Sequence, residues 1–141
     1  MRCRIVQDSQ PRRWVLVFEQ GEDPIPVLKQ FADEHLTATC HFNAIGGFSE
    51  AVLGYFDPDL DKYKRIPVDE QVEVLSLSGT ITDTEDGRRV HAHVVLGASD
   101  GRALGGHLLE AKVRPTLEMV VTESPAHLAL HEDMVTHLPT R

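Results

Sequence analysis

The sequence predicts an α+β fold: a single compact domain with a central, largely antiparallel sheet of about seven strands and one main helix. Three observations predict it. Residues 71–82 and 90–96 alternate in polarity and are rich in β-branched side chains, as strands are. Turn signals such as Gly46-Gly47, Asp57-Pro58-Asp59 and Thr84-Glu85-Asp86-Gly87 separate the strand-like segments at short intervals. Only residues 24–36 carry a convincing helical stripe, formed by Ile25, Leu28, Phe31, Ala32 and Leu36.

Taken in order, residues 1–13 carry Arg2, Arg4, Arg12 and Arg13 and read as a terminal arm or edge strand. A small basic contact with an acidic partner is their functional reading. Residues 14–18 are apolar enough for a central strand. Asp23 suits an N-cap and Pro24 the first helical position. His35 then falls at the helix end, where the dipole favours it. Residues 37–45 and 48–56 read as two strands, with Gly46-Gly47 breaking or bulging the chain between them. A short strand at 63–68 precedes the long strand at 71–82. The signal at Thr84–Gly87 makes a hairpin with residues 89–96. Strands at 103–109 and 114–122 complete the sheet. Residues 123–141 read as an extended or partly helical tail on a core spanning about 10–125, so the whole of 1–141 is expected to be one domain.

Composition narrows the function. The net charge of −8 disfavours non-specific binding to nucleic acid or anionic membranes, which needs a basic footprint. Cys3 and Cys40 make no disulfide framework, and residues 1–5 lack the apolar core of a signal peptide. A reduced, cytoplasmic setting is expected. No apolar run approaches the ~20 residues of a membrane span.

The chemistry concentrates in His91-Ala92-His93 and Gly105-Gly106-His107. Residues i and i+2 of a strand share a face, so His91 and His93 stand side by side. The face of His107 depends on the intervening turn. A two-residue Asp100-Gly101 loop would put position 94 opposite 107 and send His107 to the other side. A three-residue Ser99-Asp100-Gly101 loop, with Gly101 left-handed, puts 93 opposite 107 and gathers all three histidines on one face. The sequence suits the second turn, although Gly105-Gly106 can add a bulge. Three imidazoles so placed are metal ligands, or else hydrogen-bonded core histidines. A zinc ion held by three of them keeps an open position for water, a small anion, or a neighbouring subunit's group. Glu73 and Glu118 are candidate acid–base or outer-sphere residues, or ordinary solvated carboxylates. His41 is a further candidate, or an ordinary strand histidine. His127, His131 and His137 lack ligand spacing. No phosphate-binding loop, G-x-S-x-G elbow or CxxC pair occurs.

Leu75-Ser76-Leu77-Ser78-Gly79-Thr80-Ile81, His91-Ala92-His93, Asp100-Gly101-Arg102 and Gly105-Gly106-His107-Leu108 together resemble the plants and prokaryotes conserved (PPC) domain. Phe42-Asn43-Ala44-Ile45-Gly46, Leu53-Gly54-Tyr55-Phe56 and Glu118 add to the match, which spans about residues 10–125. The resemblance implies a homotrimer. It also implies a metal, typically zinc, on His91, His93 and His107. Plant members join the domain to an AT-hook and act on AT-rich DNA, so a DNA-binding label attaches to the family. This chain holds no Arg-Gly-Arg-Pro core. The expected function is therefore a metal-binding, trimeric ligand-binding or regulatory module. The alternative is an enzyme in which zinc activates a water and Glu73 or Glu118 serves as base. Trimer formation has support in the residues as well. Strands 14–18, 71–82 and 90–96 carry apolar residues on both alternating faces over much of their length, and one helix covers only one face of the sheet.

Overall fold

A computed structural model of the chain describes residues 1–9 and 11–124. Of the expected tail at 123–141, Glu123 instead ends the last strand, and residues 125–141, with His127, His131 and His137, lie outside the described residues. The element order is β1 (Arg2–Gln7), β2 (Arg13–Phe18), α1 (Pro24–His35), β3 (Cys40–Asp57), β4 (Lys62–Val68), β5 (Val72–Thr84), β6 (Gly87–Gly97) and β7 (Ala103–Glu123). These seven strands form one antiparallel sheet in the order β1-β2-β7-β6-β5-β3-β4, with β7 also pairing β3. That extra pairing closes β3, β5, β6 and β7 into a ring. Among the described residues no helix is long and apolar enough to cross a membrane.

The expected helix forms where its caps direct. Asp23 Oδ1 accepts a hydrogen bond from the Ile25 amide at 3.0 Å, and Leu36 ends the helix in an extended conformation. Leu28, Phe31 and Ala32 enter the core that the ring builds from Phe42, Phe48 and Leu77. His35 packs its ring 5.4 Å from Trp14 and 5.0 Å from Phe31, at the helix end and away from the other histidines.

Two pairs of expected strands are single elements. The segments 37–45 and 48–56 join into β3, and 103–109 and 114–122 join into β7. Gly46-Gly47 bulges the chain and does not break it. The two long strands run together from Cys40 opposite Glu123 to Gly54 opposite His107, with their register shifting between Gly46 and Phe48. There the backbones approach so closely that a Cβ on Gly46 would lie 2.2 Å from the Thr116 carbonyl oxygen. Pro115, which has no N–H to donate, sits in the same irregular step of β7.

The N-terminal segment forms the edge strand β1 on β2. Of its arginines, Arg12 turns inward and grips Glu123, with Nε at 2.8 Å and Nη2 at 2.6 Å from the two carboxylate oxygens. Glu123 is only 1% exposed and accepts a further bond from the Thr37 amide. The Arg12 bond, assisted by Thr37, holds this carboxyl below its ordinary value of 4.5 even though burial opposes the shift. The stability it contributes is present above pH 4.5 and drains away as pH falls through the lowered value. Arg12→Ala leaves a buried carboxylate without its cation and is expected to cost about 3 kcal/mol in urea denaturation at neutral pH. A loss under about 1 kcal/mol would show that the pair behaves as a surface ion pair.

Candidate metal centre

The site is built by the turn between β6 and β7. The Ala98 amide donates to the Arg102 carbonyl at 2.9 Å, and the Gly101 amide to the Ala98 carbonyl at 2.9 Å. Ser99, Asp100 and Gly101 therefore form the three-residue loop, and Gly101 takes φ +84°. Asp100 Oδ1 accepts from the Arg102 amide and so fixes the turn from within. The register that follows sets His93 opposite His107. Gly105-Gly106 adds no shift, since Gly97 to His93 pair with Ala103 to His107 without a break. Along β6, Ala92, Val94 and Leu96 are buried, which turns His91, His93 and Val95 outward.

The three imidazoles converge. One nitrogen from each of His91, His93 and His107 lies within 4.8 Å of the others. The ring centroids are 4.9 Å apart for His91 and His93, 5.1 Å for His91 and His107, and 4.2 Å for His93 and His107. His91 Nε2 stands 3.3 Å from His107 Nδ1. A tetrahedral zinc ion with Zn–N bonds of about 2.0–2.1 Å spaces its ligands by roughly 3.3–3.4 Å. The His91–His107 pair has that spacing, and the third imidazole lies within 4.8 Å, so the donor set suits a divalent ion in its chemistry. Burial first, and then the neighbouring imidazoles, push His107 down to about 4, and burial and His93 lower His91. Both rings are therefore neutral at pH 7, with lone pairs free for a metal.

Tyr63 backs the cluster, a residue that sequence reasoning missed. Its ring stands edge-on to His107 at 4.8 Å, and its hydroxyl is 3.4 Å from His107 Nδ1. Gly54 makes room for it, because a Cβ there would lie 2.9 Å from Tyr63 Cδ1. A cleft of about 410 Å³ opens beside the histidines. Besides His93 and His107 its lining includes Tyr55, Phe56, Val95, Ser76 and Ser78. Ser78 lies directly opposite His93 on β5, so Ser78, His93, His107 and Gly54 form one row across four strands. The Thr84–Gly87 turn, already visible in the sequence, sets the Ser78–His93 pairing.

The other candidates lie elsewhere. Glu118 lines a neighbouring groove with Asn43, Ile45 and Leu75. Glu73 is exposed opposite Gly97, beyond Val95 on the β5–β6 pair. His41 faces Thr80, which in turn faces His91, so a whole strand separates the two histidines. The cluster of three does not include it.

Residues 6–125 match the Plants and Prokaryotes Conserved (PCC) domain. The chain belongs to this family. Among solved structures, a PPC protein from Pyrococcus horikoshii is 30% identical with a TM-score of 0.76, over 86% of this chain and 81% of that one. A metal-containing protein from Archaeoglobus fulgidus is also 30% identical, with a TM-score of 0.74 over 87% of this chain and 84% of its own. Both are similar to this chain in fold over most of its length. In sequence, AT-hook motif nuclear-localized protein 14 of Arabidopsis thaliana is 36% identical over 87 residues, 61% of this chain. The PPC chain spans 20% and 16% of the lengths of the two curated relatives it matches.

Ring packing, more than the long hydroxyl contact, should fix His107. Tyr63→Ala is therefore expected to weaken metal binding roughly tenfold in a competitive chelator titration. Tyr63→Phe should recover most of that loss. An unchanged affinity in Tyr63→Ala would show that His107 needs no such support.

Proposed function

We propose that this PPC protein binds a divalent metal ion, zinc by preference, through His91, His93 and His107, and acts as a homotrimeric ligand-binding or regulatory module. The observation that carries the reading is the convergence of three imidazoles within 4.8 Å on one outward face. Bound zinc would act as a Lewis acid, holding an oxygen ligand or water at the position that three histidines leave open. The similar Archaeoglobus protein is described as metal-containing, which supports the same reading. The enzyme alternative needs a base near that open position. Among the lining residues of the cleft there is no carboxylate, and Glu118 lies in the next groove. Binding is thus favoured over catalysis.

Protein purified without chelator is expected to carry close to one zinc per chain by elemental analysis. His93→Ala should lose it. Protein that arrives without metal and takes up none on titration would refute the reading.

The trimer rests on the family resemblance and on one apolar groove. Ile45, Leu75 and Val120 are 62%, 51% and 41% exposed and line it together, on the side of the sheet without the helix. Such exposed apolar side chains gathered in one groove favour coverage by another copy of the chain, and cyclic symmetry closes that contact. Light scattering at micromolar concentration should return a mass near three chains. A monomer mass would contradict it.

Direct DNA binding is the weaker reading, because the net charge is −8 and the plant relative is named for an AT-hook whose Arg-Gly-Arg-Pro core this sequence lacks. Affinity for duplex DNA at physiological salt is expected to be no better than ~10⁻⁶ M. Both cysteines are free, Cys3 exposed and Cys40 buried, which suits the reducing cytoplasm in which we place the protein.

A further inference from the structure

We infer that the cleft beside the histidines takes a small carboxylate with a short apolar tail, its carboxylate on the metal and its tail along Tyr55, Phe56 and Val95. This inference rests on the metal reading above and names the class of ligand that the same site accepts.

Charge comes first. Three neutral imidazoles leave a divalent ion with its full positive charge. The residues lining the cleft include no carboxylate to offset it. An ion so placed in a half-enclosed site favours an anionic ligand at its open position. The cleft then selects among anions. A phosphate group carries more charge and more acceptor oxygens, and is usually met by arginine, lysine or a helix N-terminus. The lining includes no arginine or lysine, and it is made of strand residues. What it offers beside the histidines is two serine hydroxyls, Ser76 and Ser78, with Ser78 in the same row as His93. A carboxylate that gives one oxygen to the metal has one left to accept from a serine hydroxyl. The remaining wall is apolar, from Tyr55, Phe56 and Val95, and its volume of about 410 Å³ suits a small organic acid.

The test uses the full chain loaded with cobalt(II), whose visible absorption reports changes in its ligands. Acetate, propionate and butyrate are titrated in turn, with butyramide and inorganic phosphate as controls. The three carboxylates are expected to change the spectrum, each added methylene tightening the midpoint about fourfold. Butyramide and phosphate should leave it unchanged over the same range. Ser78→Asp, at an exposed position, places a carboxylate of its own beside the metal. It should still take up cobalt but no longer respond to butyrate. A cobalt protein that ignores all three carboxylates, or answers phosphate as readily as butyrate, would overturn the inference and leave the metal site standing. So would Ser78→Asp protein that binds cobalt and keeps the butyrate response. If that variant fails to fold, the wild-type series decides alone. A chain that takes up no cobalt would overturn the metal reading and this inference with it.

Discussion

The register of the β6–β7 hairpin is the constraint on which the candidate site depends. Side chains alternate along a strand, so a slip of one residue would carry His107 to the opposite face. The loop of Ser99, Asp100 and Gly101 prevents that slip. Gly101 supplies the positive φ that the turn needs, and Asp100 accepts from the Arg102 amide. Ala92, Val94 and Leu96 oppose the slip from the other side, because it would turn an apolar row out to water. Core packing and turn chemistry therefore agree on one register, and that register gathers the histidines.

The gathering has an electrostatic cost. His91 is held neutral by burial and by His93, and His107 by burial and by both neighbouring imidazoles. Without a partner, their nitrogens face each other as competing lone pairs and donors. A divalent ion relieves that crowding by accepting all three lone pairs at once. The remainder of the ring holds the arrangement rigid. The β3–β7 ribbon carries Gly54 to His107, and β4 brings Tyr63 against its ring. The helix and its aromatic cluster lie on the far side of the sheet, where they stabilise the fold without entering the site.

The local parts of this structure were legible in the sequence. Asp23 and Pro24 announced the helix, and Ser99-Asp100-Gly101 announced the turn that aligns His93 with His107. Thr84–Gly87 likewise announced the hairpin of β5 and β6. What stayed hidden depends on contacts distant along the chain. Gly46-Gly47 looks the same in sequence whether a strand ends or bends, and only the approach of β7 decides it. Tyr63 reaches His107 through two strand pairings that no local signal specifies. Arg12 looked like one more exposed basic residue until Glu123, 111 positions away, drew it inward. Glu118, a candidate acid–base residue or else a solvated carboxylate, is exposed and lines the neighbouring groove.

X-ray absorption at the zinc edge of the purified protein tests the central claim most directly. The account requires three imidazole nitrogens at about 2.0–2.1 Å, completed by oxygen. A sulfur-ligated ion, or a spectrum with fewer than three imidazoles in the wild-type chain, would contradict the account.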